Sequence, residues 1–489
     1  MIRILILLGC LAPLLSAAPK PNILFFLVDD MGWQETSVPF GPETTPLNRD
    51  YRTPNMERLA GDGVLFTNAY ACAICSPTRV SLMTGMNAAR HGVTCWTLRK
   101  DTSPERNDKQ FDACEWPLNG LQPPGSKVPR SVEANTLPHH LREAGYRTIH
   151  VGKAHFGAKD TPGADPKNLG FDVNIAGSYM GGPGSYHGDK NFSAAWRGGG
   201  RIWDVPGLDK YHGQEINLTE ALTREAIAEL ERTVKAGDQP FYLYMSHYTV
   251  HAPWEPDRRF IDSYKGKKRF PGQKATLASM VESMDHSLGD LLDALDRLGV
   301  ADDTIVVFMS DNGSPSQCPR NLPLRGHKIS GYEGGNRVPM IVHIPGATKG
   351  TKRCDAPVVI EDVFPTFLQW AGVQDIPDND GVSFDGMVRD PSAPRGDRPL
   401  FWHYPNFYDQ PPFSSVRLGD LKLIYWHVDR RIELFDLRND LSETKNLAAE
   451  RPDDVKRLAR LLCDHLRKSK ALMPVEKSTG KPVPLPDEV

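Results

Sequence analysis

Three continuous apolar runs stand out along the chain, each closed by polar residues. Ile23-Leu24-Phe25-Phe26-Leu27-Val28 ends at Asp29-Asp30, and Phe241-Tyr242-Leu243-Tyr244-Met245 ends at Ser246-His247. Thr304-Ile305-Val306-Val307-Phe308-Met309 ends at Ser310-Asp311-Asn312-Gly313. Apolar residues on consecutive rather than alternate positions fit strands covered on both faces, as in a parallel sheet. Between the runs the period changes. Leu222, Ala226, Ile227, Leu230 and Val234 recur at helical spacing up to Gly237, and Leu277, Val281, Met284, Leu288, Leu291, Leu295 and Leu298 mark a longer helix closed by Gly299. Strands alternating with helices predict an α/β domain: a large, mostly parallel sheet with helices on both faces.

From about residue 385 the texture changes. Pro391, Pro394, Pro399, Pro405, Pro411 and Pro412 punctuate a stretch that reads as a linker. Short strands are predicted over 415–418, 421–427 and 432–436, followed by an amphipathic helix through Val455, Leu458, Leu462 and Leu466. This pattern predicts a small C-terminal α+β subdomain with an antiparallel sheet, and an irregular tail after Leu472. The predicted organisation is a leader over 1–18, an α/β domain over 19–384 and the α+β subdomain over 385–489.

The leader changes how the rest is read. Met1-Ile2-Arg3, an apolar run over 4–15 and the small residues Ser16-Ala17-Ala18 follow the order of a secretory signal peptide. The run falls short of the ~20 apolar residues that a spanning helix needs. Export to the periplasm or the extracellular space is therefore expected, without a stable membrane span. Cys10 would leave with the leader, so seven of the 8 cysteines remain, an odd number in an oxidising compartment. Cys72-Ala-Ile-Cys75 has the spacing of a redox or zinc pair, but no second pair and no paired histidines complete a zinc site. With 58 Lys+Arg against 61 Asp+Glu and a net charge of -3, the chain has no electrostatic footprint for nucleic acid.

Ligands of open α/β sheets bind outside the carboxyl ends of the strands. Asp29, Asp30, Asp311 and Asn312 fall at two such ends, and three carboxylates with one amide carbonyl would make a hard-oxygen cage for Ca²⁺ or Mg²⁺. The stretch Cys72-Ala-Ile-Cys75-Ser76-Pro77-Thr78-Arg79-Val80-Ser81-Leu82-Met83-Thr84-Gly85 then resembles the signature of the type I, formylglycine-dependent sulfatases of the alkaline-phosphatase-like superfamily. Cys75, Pro77, Arg79, Leu82, Thr84 and Gly85 match it, and Thr78 stands where that family usually has Ser or Ala. The resemblance extends over Pro54-Asn55-Met56, Gly152-Lys153-Ala154-His155, His251-Ala252-Pro253, Arg325-Gly326-His327-Lys328 and Glu333-Gly334-Gly335-Asn336-Arg337-Val338-Pro339. It continues into the C-terminal Glu433-Leu434-Phe435-Asp436-Leu437.

The resemblance implies a catalytic α/β domain in which a maturase oxidises Cys75 to formylglycine. Asp29, Asp30, Asp311 and Asn312 would bind one Ca²⁺ together with the oxygen of the matured Cys75. Arg79 would hold the aldehyde hydrate and screen the carboxylates, and Lys153 and Lys328 would clamp sulfate oxygens. His155 would accept a proton when sulfate is eliminated. His251 would protonate the leaving alcohol and so should face the pocket mouth, away from the metal; His247 is the competing acid. Trp96, Arg99, His187, Trp196, Trp203, His212 and Trp254 lie in loops flanking these motifs, and aromatic faces stack on sugar rings. A sulfated carbohydrate is therefore the expected substrate, by resemblance to bacterial sulfatases acting on sulfated glycans. Phosphoester or phosphonate hydrolysis on the same fold is the alternative activity, and a secreted glycan-binding protein whose Cys75 never matures is the alternative class.

Overall fold

The computed structural model describes residues 20–488 apart from 238, 316–319 and 395; the leader expected over 1–18 lies outside the described residues. The first apolar run forms β1 (Asn22–Val28), central in an eight-stranded sheet. Its partners are β2 (Val64–Phe66), β3 (Arg147–Gly152), β4 (Val173–Ile175), β5 (Phe241–Ser246), β6 (Thr304–Ser310), β7 (Met340–His343) and β8 (Lys352–Cys354), in the spatial order β8-β2-β7-β6-β1-β5-β3-β4. Five of the seven neighbouring pairs are parallel. Only β7 runs against both its neighbours, so the sheet is mixed but mostly parallel, as the apolar runs predict.

Alternate residues of β1 feed two cores. Leu24, Phe26 and Val28 pack with α2 (Leu218–Ala236) and α3 (Gln273–Arg297) through Leu222, Ala226, Leu230, Leu277, Leu288 and Leu295. Ile23, Phe25 and Leu27 face the other way, into the core that holds α1 (Cys75–Thr84), every residue of which is buried. Two-sided burial of this kind leaves solvent only the strand ends. The helix stops follow from local chemistry: Asn217 caps the start of α2 by accepting from Thr219 N, and Gly237 ends it in the left-handed conformation that glycine adopts without strain.

The C-terminal region forms an antiparallel sheet of β9 (Leu400–Tyr404), β10 (Phe413–Leu418), β11 (Leu421–Trp426) and β12 (Ile432–Asp436), covered on one face by α4 (Pro452–Ser469) through Leu458, Leu462 and Leu466. Its other face is not free. Trp402, Phe413, Ile424 and Phe435 belong to the same core as α1, and Lys422 of β11, almost fully buried, reaches Glu333 at 2.9 Å and Glu443 at 3.1 Å. Two expectations are corrected. The Pro-rich stretch is no mere linker, because it contains β9. The tail is not wholly irregular, because Val475–Glu476 pairs with Lys481–Pro482 and with Phe111–Asp112. Among the described residues no helix is long and apolar enough to cross a membrane.

Candidate active site

β1 and β6 pair in parallel register, Val28 opposite Ser310, so the residues that follow them emerge side by side. Asp30 takes a positive φ of 63°, a left-handed turn that aspartate tolerates, and its N–H bonds Asp311 Oδ1 at 3.2 Å. Oxygens of Asp29, Asp30 and Asp311 lie within 4.8 Å of one another, and Asn312 Nδ2 donates to Asp30 Oδ1 at 2.7 Å. All four residues are buried. Burial pushes Asp29 up, despite Lys153 at 2.5 Å. Burial and the neighbouring Asp29 push Asp311 up to about 6. Lys328, with His251 and Lys153, overcomes burial at Asp30 and holds it well below the usual range.

This cluster fits a hard divalent cation. Asp29 Oδ1 and Asn312 Oδ1 are buried with no hydrogen-bond partner among the described residues, and every candidate donor is oxygen. Unsatisfied buried oxygens beside three carboxylates are what a cation would relieve.

Cys75 is the first residue of α1 and lines a cavity of about 430 Å³ with Asp30, His155, His251 and Lys328. Burial pushes its thiol up, with Lys153 and Lys328 pulling the other way. Cys72 takes no part. Its sulfur is buried 3.8 Å from Ser81 Oγ, both cysteines are free, and it lines a separate, small cavity. Among the described residues no disulfide forms; Cys318 lies outside them.

Arg79, Lys153, Asp29, Asp311 and Asn312 lie beneath the cavity rather than in its lining. Arg79, fully buried, bonds Asp311 Oδ2 through Nε and Nη2 at 3.1 and 2.8 Å, and Lys153 O and Ser246 Oγ through Nη1 at 2.9 and 2.7 Å. It thus braces the ends of β3, β5 and β6. Gly152, with φ 99°, turns the chain at the end of β3 so that Lys153 points inward; a Cβ there would meet Ser246 O at 2.0 Å. Lys328 Nζ sits 2.5 Å from Asp30 Oδ1.

His155 Nε2 lies 2.7 Å from the carbonyl of Thr97, so the neutral ring carries its proton there and Nδ1, buried without a partner among the described residues, is the acceptor. Burial, with Lys153 and Arg79 adding to it, holds this ring well below the usual range. His251 lines the cavity but not on the side away from the carboxylates, as expected of it: its Nε2 lies 3.9 Å from Asp30 Oδ2, while Nδ1 faces the Ala252 carbonyl at 2.7 Å. His247 drops out of the contest. It is buried on the α2/α3 face, bonded to Ser287 Oγ at 2.8 Å and packed on Phe26.

The profile of the family described as Sulfatase matches residues 21–373. The chain belongs to the sulfatase family. It is a sulfuric ester hydrolase, and a second profile, N-sulphoglucosamine sulphohydrolase, C-terminal, matches residues 327–471. N-acetylgalactosamine-6-sulfatase of Mus musculus is 30% identical over 91% of this chain and 80% of its own length. A sulfatase of Formosa agariphila is 29% identical over 89% of this chain and 86% of its own. The crystal structure of Ps i-CgsB in complex with k-i-k-neocarrahexaose superposes with a TM-score of 0.72 at 26% identity, over 91% of this chain and 93% of that one.

Of the aromatic and basic residues flanking the motifs, Trp96, Trp203 and Trp254 line the cavity of this sulfatase, whereas Arg99, His187, Trp196 and His212 do not. Trp196 lies under Lys190 Nζ, and His187 sits 4.0 Å from Glu255. Sequence reasoning missed Tyr408 and Asp409, hidden in the Pro-rich stretch, although a tyrosine and an aspartate between prolines were the available signal. It also missed Gly182, which lies flat against His251: a Cβ there would meet Nδ1 at 2.5 Å.

Proposed function

We propose that this sulfatase is exported and calcium-dependent, and that it removes sulfate from a sulfated carbohydrate by way of a formylglycine made from Cys75. The observation that carries the proposal is the convergence of Cys75, Lys328, His155 and His251 on one cavity directly above the carboxylate cluster. Its volume of about 430 Å³ is of the size that holds small ligands, and aromatic faces line it. The names of the mouse relative and of the carrageenan-oligosaccharide complex support a sugar.

A matured Cys75 supplies two geminal hydroxyls, one to displace the alcohol at sulfur and the other to expel sulfate when its proton leaves. A divalent cation held by Asp29, Asp30, Asp311 and Asn312 supplies positive charge beside that nucleophile. The chain's own residues do the remainder. Lys328 faces the sulfate oxygens from the cavity lining as a cation, and Lys153 adds positive charge from beneath it. His155, whose free Nδ1 has no other partner, takes the proton in the elimination step. His251 gives one to the departing oxygen, which as an alkoxide is a poor leaving group. Arg79 holds the hydrate and keeps Asp311 and Lys153 in register.

Intact-mass analysis of the exported protein tests the maturation, since CH₂SH becomes CHO at Cys75. Rates on nitrophenyl sulfate and nitrophenyl phosphate then test the reaction class. An unmodified thiol in active protein, or faster phosphate turnover, rejects the proposal.

A further inference from the structure

The cavity mouth carries a charge that the sulfate-binding floor does not need. Asp409 lines the cavity and is exposed, and among the described residues it has no hydrogen-bond or ion-pair partner. It is not on a loose loop. Phe407 N donates to Glu105 Oε1 at 3.0 Å, Arg106 N donates to Phe407 O at 2.7 Å, and Phe407 stacks on Phe111 with ring centres 5.7 Å apart. Glu105 is itself held by Trp116 Nε1 at 2.7 Å. Tyr408 packs edge-on to Trp96, and Pro411 and Pro412 stiffen the return to β10. The C-terminal subdomain therefore presents Asp409 to the cavity from a clamped segment.

Lys328 in the lining is already paired with Asp30, whereas Asp409 is not paired among the described residues; burial pushes the Tyr408 phenol up, and the phenol feels the charges of both Lys328 and Asp409. Trp96 lines the same wall, and its indole N–H is buried with no acceptor among the described residues. Trp203 and Trp254 add apolar faces, the latter fixed by its N–H to Val250 O at 3.1 Å.

We infer that Asp409 makes the cavity selective for a sugar ring that carries one sulfate and no second acidic group. An unpaired carboxylate in the cavity lining accepts charge-assisted hydrogen bonds from sugar hydroxyls. The same charge repels a second sulfate or a carboxylate on that ring, so selectivity comes from repulsion as well as from fit. This deepens the proposed function and rests on it for the sulfated-sugar class alone.

Binding, rather than turnover, reads it. Calorimetry with calcium present compares N-acetylgalactosamine 6-sulfate with N-acetylgalactosamine 4,6-disulfate on full-length Cys75→Ala protein and on Cys75→Ala/Asp409→Asn. The single variant should prefer the monosulfate, the added Asp409→Asn should shrink that preference about fivefold, the scale of two like charges about 4 Å apart in water, and Asp409→Glu should retain it. A preference unmoved by Asp409→Asn, a preference for the disulfate in the single variant, or failure of both sugars to bind overturns the inference. A shift in preference together with absent nitrophenyl sulfate turnover by the matured chain would support the inference and count against the proposed reaction.

Discussion

The Thr78 hydroxyl donates to the backbone carbonyl of Asp311 at 2.7 Å, which ties the helix carrying Cys75 to the strand end carrying the carboxylates. The same oxygen accepts from Cys72 N at 3.0 Å. One side chain thus joins the turn before Cys75, α1 and β6. This is the position where the sulfatase pattern usually has Ser or Ala. An alanine could not make either bond, whereas a serine could make both.

Thr78→Val should therefore leave a buried amide and a buried carbonyl unpaired at nearly constant volume. The loss should be about 1–3 kcal/mol of stability, with a fall in turnover as Cys75 and Asp311 lose register. Thr78→Ser should keep most of both. Denaturant melts of the three proteins decide the matter, and equal stability of the Val and Ser variants would contradict the bridging role.

Stability should also report the cation. Chelator-treated protein should melt at lower temperature, and added Ca²⁺ should restore it, by about 2.7 kcal/mol at a hundredfold excess over the dissociation constant. Asp29→Asn should abolish that shift, because Asp29 supplies a buried oxygen with no other partner. A calcium-dependent shift of full size in Asp29→Asn would place the cation elsewhere.

A pH effect should come from Glu361, which does not line the cavity. Asn87 Nδ2 donates to one of its oxygens at 2.8 Å and the other is buried without a partner among the described residues. Burial, with Asp362 and Asp380 adding to it, pushes this carboxyl from 4.5 up to about 8. Between those values the folded chain keeps a proton that the unfolded chain releases, so stability should fall as pH rises from about 4.5 to about 8 and flatten above. Glu361→Gln should remove that slope, gaining on the parent at pH 8 relative to pH 4.5. Parallel pH–stability curves for the two proteins would mean that Glu361 is ionised in the fold.

The apolar runs 23–28, 241–245 and 304–309 carried the sheet in their own residues, because a strand buried on both faces needs no alternation. Placing Asp29 and Asp311 at the carboxyl ends of two strands followed from the same runs. Their convergence with Lys153 and Lys328 did not, since those contacts span more than a hundred residues and only family resemblance joined them. Tyr408 and Asp409 were obscured because prolines at 405, 411 and 412 look like a linker, while what fixes that segment is a contact with Glu105 and Phe111 distant in sequence. The strand pairing of the tail was equally invisible: two-residue strands such as Val475–Glu476 have no period to read. Gly182 shows a third kind of blindness, because its role is the absence of a side chain against His251.

That last contact yields the sharpest prediction about the chemistry. If His251 donates a proton to the leaving oxygen, its loss should matter most where the alcohol has a high pKa. His251→Ala should lose about 10²–10⁴-fold on a sulfated sugar, and clearly less on nitrophenyl sulfate, whose phenolate leaves with little help. Gly182→Ala should reproduce the pattern in weaker form. Its new Cβ, 2.5 Å from Nδ1, must push the ring while leaving its chemistry intact. His155→Ala should depress both substrates alike, since sulfate must be eliminated whichever alcohol left first. Because His251 Nε2 stands 3.9 Å from Asp30 rather than across the pocket, a competing role is concrete: the ring could serve the carboxylates instead of the alcohol. Equal losses on sugar and aryl sulfate for His251→Ala, together with weakened calcium binding, would decide for that role and leave Lys328 in the cavity lining as the proton donor to test next.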